Sequence, residues 1–137
     1  MKKLNRNEVA LAYQDRGAGA RAIVFIHGLG FDHTTFGPQI ELFSRTHRVI
    51  AMNLRCHGAS DAPKREYAMP VLAEDTAWLC AQLGLVKPVV VGHSMGGTLT
   101  RTFRFGAGAA EWAPGARNHW REITHSSRAA PVCLSKT

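Results

Sequence analysis

The chain has 137 residues, of which 17 are Lys or Arg, 10 are Asp or Glu, and 45% are hydrophobic. This is the composition of an ordinary globular domain, so it excludes collagen-like, coiled-coil and wholly disordered proteins. The net charge of +7 does not indicate nucleic-acid binding, because the basic residues are dispersed and not interleaved with aromatic ones, and we expect no nucleic-acid partner.

The amino-terminal segments alternate between strand and helix patterns. In residues 9–13 large apolar residues alternate with alanine, which predicts a short strand, and the glycines at 17 and 19 form a turn after it. The continuous apolar run Ala22–Ile26 is typical of a strand that is buried on both faces of a sheet. Residues 36–43 then predict a helix, because their large apolar side chains share one face.

The remaining predicted elements continue this alternation. They are a strand at residues 49–52, a helix at 70–83, a strand at 89–91 and a helix at 95–103. Asp75 falls on the otherwise apolar face of the first of these helices. Because alternating strands and helices join through right-handed crossovers, the fold class is α/β, with a largely parallel sheet and flanking helices. Ligands bind beyond the carboxyl ends of such strands, so we expect the function in the loops after Ile26, Met52 and Val91.

The loop after Val91 carries the strongest signal, Gly92-His93-Ser94-Met95-Gly96-Gly97. A serine on a sharp turn between a strand and a helix has a strained backbone, and small residues two positions away let the two elements approach. The Met95 amide begins the new helix, where free N–H groups stabilise negative charge. We therefore predict a nucleophile elbow with Ser94 at its tip, supported by Gly92, His93, Gly96 and Gly97.

The loop after Ile26 reads His27-Gly28-Leu29-Gly30. Its glycines let the backbone turn beside a reacting carbonyl, so the Leu29 amide is the candidate for a second oxyanion donor. The alternative is an ordinary glycine-rich turn. We interpret His27 as holding loop backbone rather than as a catalytic group, with Gly28 as loop support.

The loop after Met52 is interpreted as structural. Asn53 and Ser60 can form hydrogen bonds with loop backbone, while Arg55 and His57 can brace neighbouring loops.

In this order and spacing, the three loops resemble the amino-terminal half of the α/β-hydrolase fold family, over about residues 8–103. The branch they resemble contains serine esterases, cofactor-free haloperoxidase-like enzymes and enol-lactonases. The resemblance implies an incomplete α/β-hydrolase fold in which Ser94 is the nucleophile and the Leu29 and Met95 amides form the oxyanion hole. It also implies a small ester, lactone or related acyl substrate. No cofactor is expected, and no metal, because the seven histidines include no pair at ligand spacing.

Two residues depart from the family pattern. Asn53 stands where the family usually has Asp, and Cys56 stands where it usually has Gly, which adds a β-carbon to a tight turn. Because the elbow holds Ser rather than Asp, the dehalogenase and epoxide-hydrolase branches are disfavoured.

A serine nucleophile also needs a histidine base and an acid that orients it, and in this family both follow the serine in the sequence. Asp is absent after Asp75, so the acid would be Glu111 or Glu122, and the downstream histidines are His119 and His125. His119 is the candidate base, because its segment weakly resembles the family's late histidine segment. The alternative function is a non-catalytic fragment or binding module that lacks this relay.

Residues 104–137 differ from the rest. They contain three Leu, Ile or Val residues, against 22 in residues 1–103, and they show no sustained apolar period. We therefore divide the chain into the amino-terminal part of a hydrolase domain, 1–103, and a divergent tail, 104–137. Our hypothesis is that the tail comes from a shifted reading frame, with natural shortening as the alternative. Either way the strand at 89–91 lacks further strand partners, so we expect marginal stability and edge-strand self-association.

The sequence predicts a cytoplasmic protein. Its longest apolar run, Ala22–Ile26, is far too short to span a bilayer, so no membrane association is expected. Polar residues 5–8 interrupt any signal peptide. Cys56, Cys80 and Cys133 form no Cys-x-x-Cys pair and are expected to stay reduced.

Overall fold

The computed structural model describes residues 1–64 and 68–105, which form a five-stranded sheet with helices on both faces. The elements in chain order are β1 (Lys2–Arg6), β2 (Val9–Arg16), β3 (Ala22–Ile26), a 3-10 helix (His33–Phe36), α1 (Gly37–Phe43), β4 (Arg48–Met52), α2 (Met69–Gln82), β5 (Val89–Gly92) and α3 (Met95–Phe105). Every element that the sequence predicts is present, and most bounds differ by one to three residues. His119 and all of the tail beyond residue 105 lie outside the described residues, so the domain division stays a prediction.

The strand order is β1-β2-β4-β3-β5. β3 is parallel to β4 on one side and to β5 on the other, and this confirms the α/β class. The sheet is mixed rather than parallel throughout, because β2 pairs antiparallel with both β1 and β4. The carboxyl ends of β3, β4 and β5 therefore lie at the same end of the sheet, and the three predicted loops start from there.

β1 was not predicted from the sequence. Its residues are mostly exposed and polar, so it has no apolar run. The turn that joins it to β2 consists of Asn7 and Glu8, with φ values of 46° and 68°. Positive φ at both central residues is typical of a type I′ hairpin turn, but the usual sequence signal for it is Asn-Gly. Glu8 in the second position removes that signal.

The core lies on both faces of the sheet. Val24 and Ile26 of β3 pack in the larger cluster with residues of α2 and α3, including Leu72, Leu79 and Leu99. Ile23 and Phe25 point to the other face, where they pack with Phe36 and Ile40. Successive side chains of a strand alternate between faces, so β3 needs apolar residues at every position. All five are buried, as the uninterrupted run predicted.

In the part of the chain that the structure describes, no helix combines the length and apolar character needed to cross a bilayer.

Candidate active site

Ser94 lies on a sharp turn between β5, which ends at Gly92, and α3, which begins at Met95. Its φ is +52°, a left-handed conformation that is uncommon for residues other than glycine. Hydrogen bonds secure this turn on both sides. The His93 N–H donates to the Ile26 carbonyl at the end of β3 (3.0 Å), and the Thr98 N–H donates to the Ser94 carbonyl (3.2 Å). Such strain persists only where surrounding contacts over-determine the backbone, and it is concentrated at functional sites.

The glycines of the turn are required by close backbone approach. A β-carbon on Gly92 would overlap Gly96 and would lie 2.5 Å from the Gly97 nitrogen. A β-carbon on Gly96 would overlap the Ile26 carbonyl oxygen and would lie 2.8 Å from the His27 oxygen. Side chains at these two positions would therefore push α3 away from the ends of β5 and β3.

The loop after β3 passes directly beside the elbow. A β-carbon on Gly28 would lie 3.2 Å from Ser94 Cβ and 3.1 Å from His93 Nδ1. Leu29 and Met95 are both partly buried. The structure therefore brings together the two loops that carry the candidate nucleophile and both candidate oxyanion amides.

His27 is fully buried and joins this loop to the loop after β4. Its Nδ1 lies 2.7 Å from the Gly28 carbonyl oxygen, and its Nε2 accepts a hydrogen bond from the Leu54 N–H at 3.0 Å. An Nε2 that accepts carries no proton, so the proton of the neutral ring is on Nδ1. Burial lowers the pKa of His27 to about 4. The unfolded residue titrates near 6.5, so the unfolded chain binds more protons between these values, and acidification through that interval removes stability.

Asn53, in the loop after β4, is fully buried and holds His33. Its Oδ1 accepts from the His33 backbone N–H (2.9 Å) and lies 3.0 Å from His33 Nδ1. Its Nδ2 is buried and has no hydrogen-bond partner among the described residues. Rotating the amide would not help, because Nδ2 would then face the His33 N–H. A carboxylate at this position would carry no such orphaned donor.

Further hydrogen bonds hold the backbone of the loop after β4, in agreement with its interpretation as a structural loop. The Ser60 hydroxyl donates to the Asn53 carbonyl (2.7 Å) and accepts from the Ala12 N–H of β2 (2.8 Å). Cys56 has a φ of +63°, where a side chain costs about 1–2 kcal/mol relative to the usual helical region. The loop therefore keeps its tight turn with a cysteine in a position suited to glycine.

A buried ion-pair network joins β1, the loop after β4 and α2, and the sequence predicted it only in part. Asp75 is fully buried and accepts from both nitrogens of the Arg55 fork, Nε at 2.5 Å and Nη2 at 2.8 Å. Arg6 Nη1 donates to the same carboxylate at 2.6 Å. Arg55 braces the loop after β4 against α2 rather than against a neighbouring loop, which is the role predicted for it, and Asp75 is the charged residue on the otherwise apolar face of that helix. Arg55 and Arg6 lie 20 and 69 residues from Asp75 in the sequence. The only sequence feature that indicated such partners is the charge of Asp75 on an otherwise apolar helix face.

The described residues do not supply the histidine–carboxylate pair that a serine nucleophile needs. Within 1–64 and 68–105, the histidine rings form hydrogen bonds with backbone or with neutral side chains, and His93 Nδ1 is buried without a partner. No group of three or more His, Cys, Asp or Glu in these ranges could hold a metal ion. Burial raises the pKa of Cys80 to about 12, so this thiol is not a nucleophile at neutral pH.

Comparisons with known proteins agree with this architecture. A family model described as the alpha/beta hydrolase fold matches residues 21–103. Among solved structures, the enol-lactonase from Burkholderia xenovorans LB400 superposes with a TM-score of 0.70 at 30% identity, over 74% of this chain and 40% of that one.

Two curated relatives are also similar. Epoxide hydrolase 3 from Xenopus tropicalis is 39% identical over 83 residues, which are 59% of this chain and 23% of that protein. The sn-1-specific diacylglycerol lipase ABHD11 from Mus musculus is 42% identical over 86 residues, which are 61% of this chain and 27% of that protein. The chain thus spans between about a quarter and two fifths of the length of these proteins.

Proposed function

Because the chain belongs to the α/β-hydrolase fold family, we propose that it carries the nucleophile and oxyanion hole of a serine hydrolase for small esters, lactones or related acyl substrates. The observation that carries this proposal is the left-handed Ser94 at the tip of the β5–α3 turn, with the Gly28 loop beside its side chain. Ser94 Oγ attacks the substrate carbonyl, and the Leu29 and Met95 amides bind the resulting oxyanion. The leaving alcohol takes the serine's proton through a base, and water then hydrolyses the acyl-enzyme.

The chemistry of serine favours acyl substrates over epoxides. Attack of Ser94 on an epoxide carbon would leave an ether, which has no carbonyl for water to attack. Attack on an ester or lactone leaves an ester that the same oxyanion hole can help to hydrolyse. The lipase and enol-lactonase similarities support the acyl assignment, whereas the epoxide hydrolase similarity concerns a family member that acts on another substrate.

His119 is the proposed base, and it lies outside the described residues. The second candidate function is a non-catalytic hydrolase fragment or binding module. It is favoured by one observation, which is that no histidine in the described ranges is hydrogen-bonded to a carboxylate. A cytoplasmic location belongs to the proposal as well.

Labelling with a fluorophosphonate tests the nucleophile. Ser94 Oγ would displace fluoride from phosphorus, so wild type should be labelled at Ser94 and should hydrolyse p-nitrophenyl acetate. We expect Ser94→Ala to lose the label and to reduce turnover by about 10²-fold or more. The control is Ser44→Ala, since Ser44 is the partly buried C-cap residue of α1 and its hydroxyl donates to the backbone carbonyl of Glu41.

Equal labelling of wild type and Ser94→Ala would contradict the assignment of the nucleophile. A folded wild type that takes no label would support the non-catalytic candidate. If Ser94 is labelled, His119→Ala and His125→Ala identify the base.

We also propose that β5 associates with a second copy of the chain. Among the described residues β5 pairs only with β3, and Val89 and Val91 remain partly exposed. A strand with one unpaired side is a template for edge pairing. Size-exclusion chromatography should show species larger than the monomer whose fraction rises with concentration. A sharp, concentration-independent monomer peak would contradict this.

A further inference from the structure

The peptide unit between Gly28 and Leu29 contains one carbonyl acceptor and one N–H donor, and only the donor belongs to the candidate oxyanion hole. Its C=O belongs to Gly28 and its N–H belongs to Leu29, the candidate oxyanion donor. Because a trans peptide is planar, these two groups point in opposite directions. Whatever holds the Gly28 carbonyl therefore also sets the direction of the Leu29 N–H.

Two donors hold that carbonyl. The Phe31 N–H lies 3.3 Å from the Gly28 oxygen, and His27 Nδ1 lies at 2.7 Å. The His27 contact is the shorter of the two, and it comes from a ring that is fully buried. A glycine on the amino-terminal side of the peptide unit offers little resistance to rotation, so this orientation needs outside support.

The loop after β4 determines which ring nitrogen can donate. The Leu54 N–H occupies Nε2 at 3.0 Å, so the neutral ring must carry its proton on Nδ1, next to the Gly28 carbonyl. The titratable groups near the ring are His57, with its ring centroid 5.0 Å away, and Asp32 and His33 at the start of the 3-10 helix. The ring stays neutral at pH 7 because burial lowers its pKa to about 4.

We propose that His27 is the positioning residue of the oxyanion hole: the Leu54 N–H selects its tautomer, its Nδ1–H holds the Gly28 carbonyl, and the Leu29 N–H is thereby aimed. This rests on the proposed function, because it assigns a cause to the orientation of one oxyanion donor. His27 touches neither substrate nor Ser94 Oγ in this role, and it acts through the shared peptide unit.

A pair of amide substitutions separates the two hydrogen bonds. His27→Asn places an amide nitrogen near the Nδ1 position, so it can still donate to the Gly28 carbonyl while leaving the Leu54 N–H without an acceptor. His27→Gln places an amide oxygen near the Nε2 position, so it can still accept from Leu54 while leaving the Gly28 carbonyl without the donor. Each variant loses one buried hydrogen bond, so their thermal stabilities should fall by similar amounts.

The measurements are the Leu29 amide resonance by NMR and the rate of fluorophosphonate labelling at Ser94, both on the full chain. We expect His27→Asn to keep the wild-type Leu29 resonance and to label within about threefold of wild type. We expect His27→Gln to shift that resonance and to label about 10-fold to 10²-fold more slowly, which approaches the loss of one oxyanion donor. A merely structural role would change both variants in proportion to their loss of stability, and that result would overturn the proposal.

Wild type alone provides a second measurement if neither variant folds. The nitrogen shifts of the His27 ring report the tautomer, and a proton on Nε2 would overturn the proposal. Failure of the proposed function can be distinguished from failure of the His27 role. A chain that takes no fluorophosphonate label still gives the His27 tautomer and the Leu29 amide resonance by NMR. A labelled wild type whose Leu29 resonance moves equally in both variants would refute the role of His27 alone.

Discussion

Asp75→Ala is expected to destabilise the protein by about 3–5 kcal/mol, because it leaves two guanidinium groups without their shared carboxylate. Asp75 is fully buried, and Arg6 and Arg55 are 20% and 14% exposed at their side chains. The network ties β1 and the loop after β4 to α2. Urea unfolding followed by circular dichroism measures the loss as a lower midpoint.

Glu74→Ala is the matched control. Glu74 is the neighbouring residue on α2 and pairs with the same Arg6 at 3.1 Å, but its side chain is 58% exposed. An exposed ion pair contributes about 0.2–1 kcal/mol, so this variant should unfold near the wild-type midpoint. If the free energy of unfolding fell equally in Asp75→Ala and Glu74→Ala, burial of the carboxylate would not determine how much each ion pair stabilises the protein.

Gly96→Ala is expected to lower the free energy of unfolding by about 3 kcal/mol, the upper end of the usual range for adding atoms to a packed core. The added β-carbon would overlap the Ile26 carbonyl oxygen. Ile26 ends β3, which is paired with β4 on one side and β5 on the other, so the obstructing backbone cannot move alone. We expect the urea midpoint to fall and the labelling of Ser94 to fall with it, because α3 must shift away from the turn.

Gly37→Ala is the control for this substitution. Gly37 begins α1, has a φ of −46°, and has no atom within 4 Å of an added β-carbon. The same chemical change should therefore alter stability by less than about 0.5 kcal/mol. If Gly96→Ala unfolded at the same midpoint as Gly37→Ala, the close contact between the elbow and β3 would be wrong.

Residues that act through short-range backbone geometry could be predicted well. The turn at Ser94 needs a small residue two positions away on each side and a strand before it, and all of these lie within a few positions of the serine. The Asp75 cluster could not be predicted in the same way, because its charges come from β1, a loop and a helix. A charge on an apolar helix face indicates a buried partner, but it does not identify which arginine supplies it.

His27 illustrates the same limit within the site. Its position after a buried strand suggested that it holds loop backbone, but the partner that sets its tautomer is the amide of residue 54. A backbone N–H has no sequence signature, since almost every residue has one. The proposed aim of the Leu29 amide therefore depends on a contact between His27 and an amide 27 residues further along the chain.

The sequence by itself determined the alternation of strands and helices, the α/β class and the place of Ser94 on a turn, because apolar periodicity and glycine spacing are local properties of a chain. Only the tertiary structure decided the antiparallel β1–β2 hairpin, the burial of Asp75 between two arginines and the linkage of His27 to two loops. The hairpin is local, but it has neither an apolar run nor the usual turn sequence, whereas the other two features depend on which distant segments pack against one another. Their hydrogen bonds and charges are satisfied across the fold, where no local pattern records them.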